Sequence, residues 1–398
     1  MTQIPKFGQL LATKEIVVVC GPGGVGKTTL AASIAVAAAA DSRRRVLVLT
    51  VDPARRLADA LGIAGIGNEA TEIRASAFAG EGITTKGTLF AAMLDVKASW
   101  DALVGRYAPD RAAAETILAS PLYRDLTARF PGSAEYIAME RLHEIHAEGG
   151  FDLIVVDTPP GARALDLFDA PERLGEFFSS RLLRWLTVPA RSRLGGAASK
   201  AFSHVAERIL GSGFLEEIRT LFVLLGAMQE GFVDRARQVS GLLHSEETTF
   251  CVVATPEMTP VHEASRLLDA LGERSLHLGL LIANRVLPKG FTDLDAIAYA
   301  DDLVARGGAV GRATIDCSDL PGDLVDAVLR EAGQSFANFS EAAQREEEMI
   351  AELADRLVPP VTIGDEMDDV VDLGRLAAIG RRILSAPTVP RHGVGART

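Results

Sequence analysis

The clearest chemistry in this 398-residue chain lies in nine consecutive residues, Gly21-Pro22-Gly23-Gly24-Val25-Gly26-Lys27-Thr28-Thr29. They satisfy the phosphate-loop pattern G-x-x-x-x-G-K-[ST]. Gly21, Gly23, Gly24 and Gly26 let the backbone curl, so that successive N–H groups, that of Val25 included, converge on phosphate oxygens. Lys27 can reach the β- and γ-phosphates, and the hydroxyl of Thr28 can ligate magnesium. The loop follows the apolar run Ile16–Cys20 and opens an alanine-rich helix over Lys27–Ala40, whose N-terminal dipole favours anions. ATP and magnesium are the expected ligands.

Phosphoryl transfer also needs a carboxylate near the metal and a group that orients the attacking water. Asp157 ends the expected strand Phe151–Val156 and precedes Thr158-Pro159-Pro160-Gly161; it is the candidate for holding a magnesium-bound water. Asp52 ends the run Val46–Val51 and precedes Pro53-Ala54-Arg55-Arg56; it is the candidate for positioning the lytic water. Either aspartate alone would more often be a helix cap or a strand end. Two of them after apolar strands, in a chain with a phosphate loop, reverse that balance.

The elements that must position these groups are short β-branched runs alternating with longer helical patterns, which predicts an α/β fold with a parallel sheet flanked by helices. The expected strands are Ile16–Cys20, Val46–Val51, Leu89–Leu94, Leu153–Val156, Phe250–Ala254 and Leu278–Ala283. A last strand runs to Ile363 after Pro359-Pro360, and a last helix covers Leu373–Leu384. The stretches 98–148 and 165–247 read as helical throughout, cut at Pro109, Pro121, Pro131, Pro171, Pro189 and Gly195-Gly196. The second is far longer than a crossover needs, so the two are expected to form an all-helical lobe inserted in a single domain. The core would then cover about 14–97, 149–164 and 248–385, with a disordered tail over 386–398.

Composition narrows the classes. A net charge of −12 argues against a broad nucleic-acid surface, which needs a basic stripe. No run approaches the length of a membrane span and the N-terminus lacks a signal pattern, so a cytoplasmic protein that is not integral to a membrane is expected. Cys20, Cys251 and Cys317 have no paired spacing for zinc or redox chemistry, and the first two sit in apolar runs as core thiols. His143-Glu144-Ile145-His146 misses the HExxH spacing by one residue, and Glu140 with His143 makes only half of a di-iron motif. Leu174, Phe177, Phe178, Leu182, Trp185 and Leu186 recur at helical spacing, as do Leu215, Ile218, Phe222, Leu225 and Met228.

Gly21–Thr29, Leu49-Thr50-Val51-Asp52-Pro53-Ala54-Arg55-Arg56-Leu57 and Asp157-Thr158-Pro159-Pro160 together resemble the P-loop, switch I and switch II of the anion-transporting ATPases. That family includes the arsenite-pump ATPase and the ATPase that targets tail-anchored membrane proteins. The resemblance extends to Thr255-Pro256-Glu257 and Ala283-Asn284-Arg285, and it is good over roughly 14–165 and 250–330. It implies a P-loop NTPase core and ATP hydrolysis. It also implies adenine recognition at Asn284, contact of Glu257 with nucleotide from a partner subunit, and a dimer that ATP closes around a hydrophobic helix client, with peripheral contact at the membrane.

Three departures stand out. The family's signature lysine, second in the loop, is Pro22 here, which has neither charge nor N–H. Asp157-Thr158 is followed by Pro159-Pro160-Gly161-Ala162-Arg163 rather than A-P-T-G-H. The chain also lacks the family's zinc-linking CxxC and arsenite thiols, and it carries one phosphate loop rather than a tandem pair. The expected assembly is a homodimer or a heterodimer with a lysine-bearing paralogue. The alternatives are a partition- or division-type positioning ATPase, or a slowly hydrolysing regulatory subunit.

Overall fold

A computed structural model describes residues 5–51, 56–63, 65–129, 133–158, 212–306, 321–356, 359–365 and 372–389. The strands are β1 (Ile16–Cys20), β2 (Arg45–Thr50), β3 (Thr71–Ile73), β4 (Thr88–Met93), β5 (Leu153–Asp157), β6 (Thr248–Ala254), β7 (Leu278–Val286) and β8 (Val361–Gly364). They form one eight-stranded sheet in the order β3-β4-β2-β5-β1-β6-β7-β8. Every pairing is parallel except that of β3 with β4. From β1 the chain passes to β2 on one side, and from β5 it later crosses β1 to reach β6. The carboxyl end of β1 is therefore a switch point, where open α/β sheets bind their ligands.

The described helices are α1 (Phe7–Leu11), α2 (Lys27–Asp41), α3 (Arg56–Ala60), α4 (Ala75–Gly80), α5 (Val96–Tyr107), α6 (Arg111–Ala119), α7 (Pro121–Arg129), α8 (Ser133–Ala147), α9 (Ser212–Ala227), α10 (Gln229–His244), α11 (Met258–Glu273), α12 (Leu294–Arg306), α13 (Gly322–Arg356) and α14 (Leu373–Leu384). Side chains alternate across each central strand, and that alternation builds two cores. Val17 and Val19 of β1 face α2 and α14, where Ala31, Ala35, Leu376 and Ile383 pack. Ile16, Val18 and Cys20 face the other way, toward Trp100, Leu103, Met139 and Leu142 of α5 and α8, Leu225 of α9, Val239 of α10 and Leu268 of α11. β1 and the first four residues of β5 are buried at every position and apolar throughout, as strands covered on both faces should be; the buried Asp157 that ends β5 belongs to the site.

The described part of the helical region thus shares a continuous core with one face of the sheet. α5 stops at Tyr107, before Pro109; Asp110 caps α6 through the N–H of Ala113 at 2.8 Å; and α7 begins on Pro121. Half-buried Arg235 of α10 donates to buried Glu140 of α8 at 2.7 Å, tying two helices of that region together. Pro131, the positions Leu174–Leu186, Pro171, Pro189 and Gly195-Gly196 lie outside the described residues, as does all of 159–211. Of the tail expected over 386–398, the first four residues pack on the core, and 390–398 lie outside the described residues. Ala386, Thr388 and Val389 are buried, with Phe7 N donating to Ala386 O, Thr388 N to Pro5 O and Val389 N to Gly279 O. Cys20 and Cys251 are fully buried free thiols, and burial pushes the Cys20 thiol up to about 12. Cys317 lies outside the described residues. Among the described residues no helix is long and apolar enough to cross a membrane.

Candidate nucleotide site

The loop Gly21–Thr29 leaves the carboxyl end of β1 and enters α2. Two of its glycines are required by close approach. At Gly21 (φ 154°) a Cβ would lie 2.1 Å from the carbonyl oxygen of Val253 on β6, and at Gly26 (φ 90°) it would lie 2.4 Å from Nδ2 of Asn284. Gly26 is also the N-cap of α2, and no side chain caps that end. A helix start of this kind, with glycine turns before it, is a built anion cradle. Lys27 is 6% exposed and donates from Nζ to the carbonyl of Pro22 at 2.7 Å, so the cation lies along the inside of its own loop.

Asp157, the last residue of β5, is fully buried. Its register places it opposite Val19 on β1 and Thr50 on β2. Its Oδ2 accepts from the Thr28 hydroxyl at 2.7 Å and from the Thr50 hydroxyl at 2.9 Å. Thr158, the next residue, is pinned to β1 by its N–H and hydroxyl, both donating to the carbonyl of Val19. The structure thus brings together Thr28 and Asp157, which the sequence singled out, and adds Thr50, which it did not. The available signal was a lone hydroxyl at the end of the apolar run Val46–Leu49, one residue before Val51-Asp52. The donor set of a hydroxyl beside a carboxylate is all oxygen and suits magnesium, which takes hard ligands and keeps several waters.

Asn284 lies on β7, 7% exposed, and donates from Nδ2 to the carbonyl of Val25 at 2.8 Å, joining the phosphate loop to a strand two places away in the sheet. Glu257 is the exposed N-cap residue of α11, just beyond β6, with no side-chain cap bond. Asp52, Arg55 and Arg163 lie outside the described residues; Arg56 opens α3. Two residues further along β7, a cavity of about 600 Å³ opens at the ends of β7 and β8, lined by Val286, Leu287, Pro288, Glu346, Thr362 and Asp365; Asn284 is not among its lining residues. Burial raises the Glu346 carboxyl above its usual range, against the N–H of Leu287 that bonds to it.

A phosphate loop between a central parallel strand and a helix, with an aspartate from the adjacent strand on its threonine, defines a P-loop nucleoside triphosphatase fold. The family model of the anion-transporting ATPases matches residues 14–299, and the chain belongs to that family, whose members are ATP hydrolases. An "ATPase ASNA1 homolog" of Cryptosporidium parvum is 27% identical over 277 residues, covering 70% of this chain and 66% of that protein. A "Putative arsenical pump-driving ATPase 2" of Aquifex aeolicus is 25% identical over 283 residues, covering 69% and 80%. An "ATPase get3" of Botryotinia fuckeliana is 26% identical over 296 residues, covering 73% and 78%. The match to the first of these thus spans about two thirds of its length.

Proposed function

We propose that this chain binds magnesium ATP at Gly21–Thr29 and hydrolyses it, using the cycle to open and close a dimer. The observation that carries this reading is the junction of Thr28, Asp157 and Lys27 at the carboxyl end of β1. Phosphate would draw Lys27 off the Pro22 carbonyl, and the amides at the start of α2 would bind the same oxygens. Thr28 would be a direct magnesium ligand and Asp157 would hold the metal through water; the bound metal would neutralise charge between the β- and γ-phosphates. Asp52 would orient the attacking water. The adenine base would enter the cavity at the ends of β7 and β8, with Oδ1 of Asn284, two residues back along β7, as acceptor, and Glu257 would face nucleotide from the partner. By family resemblance, the helical region over 98–148 and 165–247 would present an apolar surface to a hydrophobic helix when ATP is bound.

Paired variants test the site. Lys27→Ala should abolish nucleotide binding. Asp52→Asn should keep binding and lose hydrolysis, because the amide keeps the shape without the charge. Hydrolysis at the parent rate in Asp52→Asn would overturn that assignment. A second reading, a slowly hydrolysing subunit of a heterodimer, is favoured by Pro22, which puts a buried, uncharged ring where the family carries its signature lysine.

A further inference from the structure

The motif His143-Glu144-Ile145-His146 has no part in the nucleotide site, yet its second histidine meets two carboxylates from distant segments. His146, in the last turn of α8, places Nε2 2.8 Å from Oε2 of Glu15 and 3.7 Å from Oε2 of Glu247. One donor atom from each of the three residues lies within 4.8 Å of the others, and among the described residues no other group of three His, Cys, Asp or Glu does so. Glu15 immediately precedes β1 and Glu247 immediately precedes β6. The N–H groups of Glu15 and Ile16 both donate to the carbonyl of Glu247, at 2.9 and 3.1 Å, which fixes the two glutamates side by side. The cluster therefore sits at the amino end of the sheet, opposite the phosphate loop.

We propose that Glu15, His146 and Glu247 bind one divalent transition metal ion of the zinc type. One imidazole nitrogen with two carboxylates is a zinc-like donor set; magnesium and calcium prefer oxygen alone. Ligand atoms around tetrahedral zinc stand about 3.4 Å apart, so the two histidine–carboxylate separations of 2.8 and 3.7 Å need sub-ångström adjustment, and the two carboxylates lie within 4.8 Å of each other. Both carboxylates are about half exposed, with side-chain exposures of 49%, which leaves the fourth position to water.

Charge favours a dication over a simple ion pair. Two carboxylates around one histidine leave a net negative charge whether or not the imidazole is protonated. Two cations lie nearby: the Arg44 guanidinium donates to the carbonyls of Leu11, Lys14 and Asp152 and also feels the charge of Glu15, and the Lys14 ammonium donates to the carbonyls of Glu246 and Thr248. Metal here would cross-link α8 to β1 and β6, and would stabilise the fold by mass action.

The test uses the full chain, stripped of metal with a chelator, titrated with zinc chloride by calorimetry and with cobalt chloride by visible absorption. The expected result is one saturable equivalent, not displaced by excess magnesium and retained in Lys27→Ala. The equivalent should weaken about 10-fold or more in both His146→Ala and Glu247→Gln. Zinc should raise the unfolding temperature of the parent but not of His146→Ala, with circular dichroism confirming that each variant is folded. No saturable uptake by the parent would overturn the proposal. So would undiminished uptake in folded His146→Ala and Glu247→Gln.

Discussion

The side-chain amide of Asn284 donates to the carbonyl of Val25 at 2.8 Å, and the same nitrogen occupies the space a Cβ on Gly26 would need. A residue on β7 thereby fixes the turn that aims the phosphate loop. A buried donor–acceptor pair of this kind is worth about 1–3 kcal/mol when one partner is deleted. Asn284→Ala should therefore weaken nucleotide binding about 10-fold. Measuring ATP and GTP side by side separates two roles. Loss shared by both is expected from the displaced loop, and an additional loss for ATP alone would measure base recognition. Unchanged affinity for both nucleotides would remove Asn284 from the site.

Thr50 and Thr28 donate to the same carboxylate oxygen of Asp157, Oδ2. Thr50→Val keeps the branched shape and deletes one buried hydrogen bond to a carboxylate, which should cost about 1.5–3 kcal/mol of stability. Outer partners of metal-binding groups also tune affinity, so the magnesium concentration for half-maximal ATPase should rise about 10-fold or more. Lost stability with unchanged magnesium dependence would show that Thr50 only supports the fold.

The central strands were legible because the middles of β1, β2, β5 and β6 are buried on both faces, so each carries an apolar run of at least four residues. The phosphate loop was legible because its glycines answer local backbone demands. Thr50 was not, since one hydroxyl in a strand becomes meaningful only when register sets it opposite Asp157. β3 was missed for the opposite reason. It is three residues long, antiparallel and largely exposed at the sheet edge, so it carries almost no apolar pattern. Nor did strand-and-motif reading anticipate the 35-residue helix α13, whose buried Val325, Leu329, Ala343 and Leu353 are widely spaced among mostly exposed or half-buried residues. The convergence of Glu15, His146 and Glu247 could not be read at all, because it joins segments more than a hundred residues apart.

The Arg235–Glu140 pair should make stability depend on pH in a defined sense. Burial raises the Glu140 carboxyl above its ordinary value, against the opposing pull of Arg235 and Arg106. The folded protein then holds that proton more tightly than the unfolded chain, so this group's contribution to stability falls as pH rises from the ordinary carboxylate value through the raised one. Arg235→Ala removes the main opposing cation and leaves the carboxylate buried without it, which should cost about 3–5 kcal/mol near pH 8. The cost should shrink toward pH 5, where protonation relieves it. Urea unfolding at both pH values checks this. A pH-independent loss would mean that Arg235 acts through packing alone.

Pro22 sets the last prediction. Its carbonyl receives Lys27, and its side chain is buried. In the family pattern a lysine at this place brings charge to the neighbouring subunit's phosphates, and losing a cation of that kind costs about 10³–10⁵ in rate. A proline fixed in the loop cannot supply it. The chain alone should therefore turn over slowly, and mixing with a lysine-bearing paralogue from the same source should raise the rate sharply. Pro22→Lys alone should not restore it fully, because position 22 is buried and the new side chain would first have to leave the loop interior. The competing arrangement is a homodimer in which Arg163, from the second switch segment, replaces the missing charge. Steady-state ATPase rates of the chain alone, of the mixture and of Arg163→Ala decide between them. Fast turnover alone that a paralogue does not change and Arg163→Ala abolishes would rule out the heterodimer. Slow turnover that rises only on mixing would establish that this subunit borrows its cation from a partner.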